Sequence, residues 1–309
     1  MADVDWRETL AELAGMRGVD WREAVISLTG SSLSAVDWRQ ALLTFISSTA
    51  SPVDWREALE AKYPGVGWEA AIVLALSTPP PYVASAVHFD GSTSLRIASL
   101  SASASALFSS IIWFKTTQAR GVFYVVDPEN DVDPYFNLIS GILYNEVGAV
   151  PFAVSTNMET HSTSAVNDGL WHCMILGFDG ASLAIKVYID DVDVTNVDAI
   201  ATTPFTVGGN GLETWIGTDG FDNFVGDIAD FRVLYGISLL DGGGDIPLAT
   251  RRLFIDEAGK PVDPAVATAA LGTAGTLLFS GSASAFGTNQ GTGGSFTTTG
   301  TLTDASSHP

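Results

Sequence analysis

The sequence predicts a mainly β protein: an antiparallel β-sandwich over residues 84–240, preceded by a small domain of short tandem α-helices. Three observations carry this reading. A heptapeptide close to Val-Asp-Trp-Arg-Glu-Ala-Leu begins at Val4, Val19, Val36 and Val53, with a decayed copy, VGWEAAI, at Val66. Apolar residues follow each copy at helical spacing. Beyond Pro79-Pro80-Pro81 that period vanishes, and short runs rich in Val, Ile, Phe and Thr alternate with Gly, Asp and Asn turns, the pattern of many short antiparallel strands. Repetition followed by an abrupt change of composition marks a modular chain. The expected division is a helical attachment or oligomerisation module over 1–78, a proline linker over 79–83, the sandwich over 84–240, and a C-terminal extension over 241–309 that completes or flanks it.

Each repeat reads as a helix start. Asp5, Asp20, Asp37 and Asp54 suit the N-cap, where a carboxylate accepts from free backbone N–H groups. Glu8, Glu23, Gln40 and Glu57 stand three residues later, at the partner position of a capping box. Trp6, Leu10 and Leu13 follow i, i+4, i+7 spacing, as do Trp21, Val25 and Leu28, and Trp38, Leu42 and Phe45. Trp55 pairs in the same way with Leu59, and Trp68 with Ile72. Gly15 and Gly18, Gly30, Ser51-Pro52 and Pro64-Gly65 stop the helices within about ten residues. Helices that short are marginal alone and must pack on one another or on a partner. Arg7, Arg22, Arg39 and Arg56 sit where a cation opposes the helix dipole, so they serve another purpose. Stacking on Trp or pairing with a neighbouring Asp is worth roughly 0.5–1 kcal/mol when exposed. Two readings stay open: a self-contained Trp-rich core, or an assembly surface formed by Trp6, Trp21, Trp38, Trp55 and Trp68 with those four Arg, since Trp and Arg dominate interface hot spots.

In the second module the strand candidates run VHFDG, SLRIASL, SSIIWFKT, GVFYVV, YFNLIS, PFAVST, WHCMILGF, AIKVYID, TWIGT and IADFRVLY. Asp168-Gly169-Leu170-Trp171-His172 and the following CMILGFDGASLAIKVYIDDVDV resemble the D-G-x-W-H strand and hairpin of laminin G-like, concanavalin A-like jelly rolls. Phe89-Asp90-Gly91 with SLRI resembles the opening strand of that family. Trp215-Ile216-Gly217 and the run from Phe224 to Val233 resemble its closing strands, so the likeness covers residues 84–240. It implies two antiparallel sheets with ligand loops on one rim, and a binding module, often for carbohydrate and often with calcium. It also implies that His172 is a structural strand residue and that Asp190-Asp191 is hairpin-turn chemistry. The extension opens on Gly242-Gly243-Gly244 and continues with LATRRLFID, a Pro-started helix in DPAVATAAL and a strand in TLLFSG. Its small-residue end has a composition compatible with disorder, while FTTTGTLT suits an edge strand or an arm lying on a neighbour. RRLFID and GKPVDP resemble the ends of laminin G-like proteins encoded by tailed phages and prophages.

The chain of 309 residues carries 35 acids against 14 bases, a net charge of −21. Nucleic acid and anionic membranes need clustered Lys and Arg, so neither is an expected partner. No apolar run is long enough to span a bilayer, so no membrane insertion is expected. The first residues lack a basic region followed by a long apolar run, so a cleaved secretory signal is not expected. The single cysteine, Cys173, has no internal partner.

Few residues are arranged for catalysis. Sugar-cleaving jelly rolls need two flanking carboxylates, and Glu129, Glu146, Glu159, Glu213 and Glu257 never fall two to a strand. No nucleophile elbow and no zinc spacing is present, so the chain is read as a non-enzyme. The loop Asp127-Pro-Glu-Asn130-Asp131-Val-Asp133 gathers hard oxygen ligands, making Asp127, Asn130, Asp131 and Asp133 the candidate calcium site. Asp219, Asp222 and Asn223 form a second cluster, and for both the plain alternative is an acidic solvated turn. Tyr135, Trp215 and Phe221 are the candidate sugar-stacking residues. The functional expectation is a structural virion protein of a tailed phage or phage-like particle, displaying a jelly roll toward a host-surface glycan. Its expected partners are other virion proteins and copies of itself, as a trimer. The alternatives are a bacterial surface or released carbohydrate-binding adhesin and, more distantly, a polysaccharide depolymerase.

Overall fold

The computed structural model describes residues 21–28, 38–45, 55–62, 68, 72, 82–126, 132–148, 157–208 and 211–309. The chain divides into two compact units, Met1–Tyr82 and Val83–Pro309.

In the first unit, three helices begin at the repeated Trp: α1 (Trp21–Leu28), α2 (Trp38–Phe45) and α3 (Trp55–Lys62). The i, i+4 spacing puts Val25, Leu42 and Leu59 on the same face as the Trp of their repeat, and all three are fully buried. The indoles form an edge-to-face ladder. Centroids lie 4.7 Å apart from Trp21 to Trp38, 4.9 Å from Trp38 to Trp55 and 5.2 Å from Trp55 to Trp68, the T-shaped arrangement that ring quadrupoles favour. A repeat that returns one Trp per helix makes such a ladder by construction.

The second unit is two antiparallel sheets facing each other. The first runs in the order β10-β9-β8-β3-β13-β1-β16, with β14 also on β13; the second runs β11-β7-β6-β5-β4-β12-β2-β15. Their strands, in chain order, are β1 (Val87–Asp90), β2 (Ser94–Ile97), β3 (Leu107–Lys115), β4 (Arg120–Val126), β5 (Val132–Ile139), β6 (Ile142–Gly148), β7 (Asn157–His161), β8 (Trp171–Asp179), β9 (Ala184–Ile189), β10 (Val192–Asp193), β11 (Asn196–Ala199), β12 (Thr214–Ile216), β13 (Val225–Tyr235), β14 (Leu277–Phe279), β15 (Thr297–Thr299) and β16 (Thr303–Asp304). Between the sheets lie Phe89, Phe108, Phe114, Phe123, Phe136, Phe178, Phe224 and Phe231 with Leu, Val and Ile from both layers. β3 is buried on both faces from Phe108 to Phe114, and Ile111 and Trp113 on its outer side line a small cavity with Leu253, Phe254, Val262 and Pro264 of the C-terminal segment. β13 carries one extra residue between Ala229 and Arg232 against β3, and Asp230 takes a positive φ of 44° there, the local signature of a bulge.

Residues 241–309 complete the sandwich. The Asp263 side chain accepts from the Ala265 N–H at 2.8 Å and caps the helix Pro264–Leu271, as the Asp-Pro start predicts. β14 extends the first sheet, and Phe279 and Phe286 are buried in the core. β15 pairs with β2 and β16 with β1. The Thr-rich end is therefore an edge of this chain's own sheets, and its composition did not produce disorder. One corner explains the fit: β1 and β2 belong to different sheets, and the β15–β16 turn crosses beside theirs, with Thr93 Oγ1 donating to Thr301 O at 3.2 Å. Gly300 (φ 76°) permits the approach, since a Cβ there would lie 2.8 Å from Ser92 O.

Candidate functional site

Tyr135 converges on the outer face of the second sheet with Trp215 and Phe221, which are near neighbours much later in the chain. Trp215 is the middle residue of β12, flanked by inward-facing Thr214 and Ile216, so the pleat turns its ring outward. The loop from Gly217 to Phe224 then folds back over that ring as a small hairpin closed by Phe224 N–H on Gly217 O at 2.9 Å. Gly220 takes a φ of 92°, a conformation strained for any side chain, and a Cβ there would also crowd Trp215 Cζ3 at 3.1 Å. At the tip Phe221 is 90% exposed. Leaving a phenyl ring in water forgoes roughly 1.5–3 kcal/mol of burial, so its position is a feature to be explained.

The loop is braced from all sides. Asp219 Oδ1 accepts from the Phe221 and Asp222 backbone N–H groups at 2.8 and 2.7 Å, and Oδ2 from the Tyr135 hydroxyl at 2.8 Å. Thr218 Oγ1 donates to Asn223 Oδ1 at 2.6 Å, and Arg120 Nε to Asp222 Oδ2 at 2.6 Å. Gln118 Nε2 donates to Asn223 O at 2.8 Å. Burial raises the Tyr135 phenol, and the adjacent Asp219 carboxylate adds to that direction, so the hydroxyl stays a donor. Asp219, Asp222 and Asn223, the second acidic cluster, are engaged in this turn chemistry. Among the described residues no group of three or more His, Cys, Asp or Glu is arranged to hold a metal ion.

Register extends the site across the sheet. Arg96 of β2 stands opposite Trp215, Trp215 opposite Val125, Val125 opposite Tyr135, Tyr135 opposite Glu146, and Glu146 opposite Glu159. Six strands at about 4.8 Å make this row about 24 Å long. At one end the Arg96 guanidinium lies over the Trp215 ring at 4.7 Å and pairs through Nε with Glu213. At the other, the Asn157 amide donates to Glu146 Oε1 at 2.5 Å and Glu159 Oε1 at 3.0 Å. The two Glu share no strand and face each other on neighbouring strands β6 and β7, so carboxylates taken strand by strand do not reveal the pair. Strand alternation and a hairpin register are the signals that would have found it.

The remaining candidates fall elsewhere. Asp127, Asn130 and Asp131 lie outside the described residues, as do Trp6 and Arg7, and of Asp133 only the backbone in β5 is described. Trp38 and Trp55 are 2% and 6% exposed inside the helical unit, with Trp21 and Trp68 packed against that core. Arg22, Arg39 and Arg56 are exposed and lie over the Trp of their own repeat at 4.8, 4.7 and 5.2 Å, Arg56 also over Trp68 at 4.4 Å. His172 lies in β8, with Nδ1 2.7 Å from Asp190 Oδ2 and Nε2 3.1 Å from Asp168 Oδ1. Asp190 and Asp191 both take positive φ, 51° and 68°, as a two-residue hairpin turn requires.

No protein-family model matches the chain, and no curated protein matches it. Solved structures do resemble it. Domains LG4-5 of the mouse laminin alpha1 chain align over 50% of this chain and 43% of theirs, at 16% identity and a TM-score of 0.40. A heptameric SAP-like pentraxin from Limulus polyphemus aligns over 53% of this chain and 85% of its own, at 14% identity and a TM-score of 0.40. A candidate carbohydrate binding protein from Bacteroides ovatus aligns over 74% of this chain and 62% of its own, at 12% identity and a TM-score of 0.47. The chain spans less than half the length of the laminin fragment it matches, and its two-sheet architecture is read from its own strand pairing.

Proposed function

We propose that the sandwich binds a glycan without cleaving it, along the row from Arg96 to Glu159 and under the Phe221 loop. The observation that carries this is the braced, nine-tenths exposed Phe221 beside Tyr135 and Trp215. An aromatic ring held in place on a rigid scaffold offers contact area at little entropic cost, and Phe221 is such a ring, above a row whose centre at Val125 is already covered. Loops on such a scaffold are where recognition residues concentrate. The wider reading is a structural protein of a tailed phage or phage-like particle, attached through the Trp-Arg repeats and presenting the sandwich to the host surface. Several copies on one particle convert weak contacts into firm attachment, by roughly 10²–10⁴ over a single site. Titration of the full chain with polysaccharides tests the binding. Phe221→Ala should weaken it at least tenfold with an unchanged melting temperature, and a variant that binds as the parent does would sink the proposal. Antibody labelling of purified particles tests the location; labelling of the bacterial surface alone would favour the adhesin.

Glu146 and Glu159 favour a second reading, depolymerisation, because hydrolysis of a glycosidic bond uses two carboxylates on either side of it. Here one Asn amide donates to both and holds them side by side on neighbouring strands, rather than on either side of a cleft. Bound polysaccharide should keep its length on incubation. Shortening that disappears in Glu146→Gln would establish the enzyme instead.

A further inference from the structure

We infer that the glycan taken by this site is uncharged, and that Glu213 and Asp222 set this selectivity by neutralising the two guanidiniums beside the aromatic platform. The inference rests on the glycan-binding reading above. Two Arg near three aromatic residues have the composition of a receptor for carboxylate-bearing sugars, because a free guanidinium offers a planar fork of donors to an anion. Each Arg already faces a carboxylate through its Nε. Arg96, half exposed, is committed through Nε to Glu213 and lies over Trp215, so an edge and a face of its guanidinium are taken. Arg120, 71% exposed, is committed through Nε to Asp222 at 2.6 Å.

Further along, the balance turns negative. Asp219 stands under Tyr135, and Glu146 and Glu159 face each other two strands on. The residues named around the row thus comprise two cationic side chains, Arg96 and Arg120, and five carboxyl side chains, Glu213, Asp222, Asp219, Glu146 and Glu159. The sandwich and its extension, residues 79–309, carry 24 acids and 8 bases, so the background field has the same sign. An anionic sugar entering the row meets more carboxylates than cations among the residues named, with both guanidiniums already facing a carboxylate. A neutral sugar loses nothing, since ring stacking and hydroxyl hydrogen bonds need no charge.

The test is a titration of the full chain against neutral oligosaccharides alongside uronate- and sialate-bearing ones at low and physiological salt. Neutral ligands should bind at least about tenfold tighter than charged ones at low salt, with the gap narrowing as ions screen charges beyond about 8–10 Å. Preference for charged ligands would overturn this inference and leave glycan binding standing. Binding of neither class would remove the glycan-binding reading, and this one with it. Glu213→Gln and, independently, Asp222→Asn should shift the ratio of charged to neutral binding toward the charged ligands by about tenfold. A ratio unmoved in both variants would overturn the assignment to Glu213 and Asp222.

Discussion

Trp38→Ala should unfold the helical unit rather than merely release it from a partner. The Trp38 ring is 2% exposed and touches Trp21 at 4.7 Å on one side and Trp55 at 4.9 Å on the other. Truncating a buried Trp costs about 3–5 kcal/mol, and that figure includes much of the two ring contacts, each worth about 0.5–1.5 kcal/mol beyond area. A unit of this size has about 4–12 kcal/mol of stability in total, so one substitution removes a large part or all of it. Arg39→Ala is the control. The guanidinium lies over the same ring at 4.7 Å from the exposed side, a contact worth about 0.5–1 kcal/mol. Far-UV circular dichroism against temperature separates the two: Trp38→Ala loses helical signal at low temperature, and Arg39→Ala melts nearly as the parent does. If the Arg row is the partner surface, Arg22→Ala with Arg39→Ala weakens assembly while the helices persist. A Trp38→Ala chain that keeps its helical melting and loses only its self-association would refute the reasoning and return the ring to the partner surface.

Three other outcomes are expected. Burial alone would lower the His172 pKa, but Asp190 and then Asp168 outweigh it and the net direction is upward, while the Leu170 N–H and His172 hold Asp168 below the usual carboxylate range. The raised His contributes stability that is present below about 6.5 and lost as pH rises through its folded value; the lowered Asp contributes above about 3.9 and is lost on further acidification. Melting temperature should thus pass through a maximum between those values and fall toward pH 8, a fall absent in His172→Gln; a parallel decline in both would show that other groups cause it. Calcium at the loop containing Asp127, Asn130, Asp131 and Asp133 should stabilise the chain by RT ln(1 + [L]/Kd), about 2.7 kcal/mol at a hundredfold excess over Kd, and identical melting in chelator and in millimolar calcium would exclude the site. Gly180→Ala should cost about 1–3 kcal/mol or more, because its Cβ would lie 2.3 Å from the Phe205 carbonyl oxygen; denaturant unfolding with an unchanged midpoint would contradict that contact.

What the sequence made legible was what local pattern controls. The repeated Trp at helical spacing announced α1, α2 and α3, and the opening, hairpin and closing motifs announced β1, β8, β9 and β13, because pleat and helix periods are properties of neighbouring residues. The tail was ambiguous for the same reason. Nothing in FTTTGTLT states that its partners are residues 87–97, more than two hundred positions earlier. The extra residue in β13 was equally invisible, since Asp230 is a bulge only relative to β3.

The candidate site lies on the far side of that limit. Tyr135, Trp215 and Phe221 were each identifiable as aromatics near turns, but their convergence depends on β12 pairing with β4 and β4 with β5. Glu146 and Glu159 show the point most sharply. A search along single strands asks which carboxylates share a face of one strand, at spacings of two. Catalytic or binding pairs can equally be built across a ladder, where directly opposed side chains are about 4.5–5.5 Å apart. For these two residues the opposition is set by the β6–β7 register, in which Val147 and Asn145 must meet Met158 and Thr160 on the inner face. Since a one-residue slip would turn the buried Val147 and Met158 outward, the core fixes the register, and the register in turn places both carboxylates on the outer face. The geometry of the row is thus a consequence of packing on the opposite side of the sheet, and a core substitution such as Met158→Ala should disturb ligand binding even though Met158 is buried between the sheets, on the face away from the row.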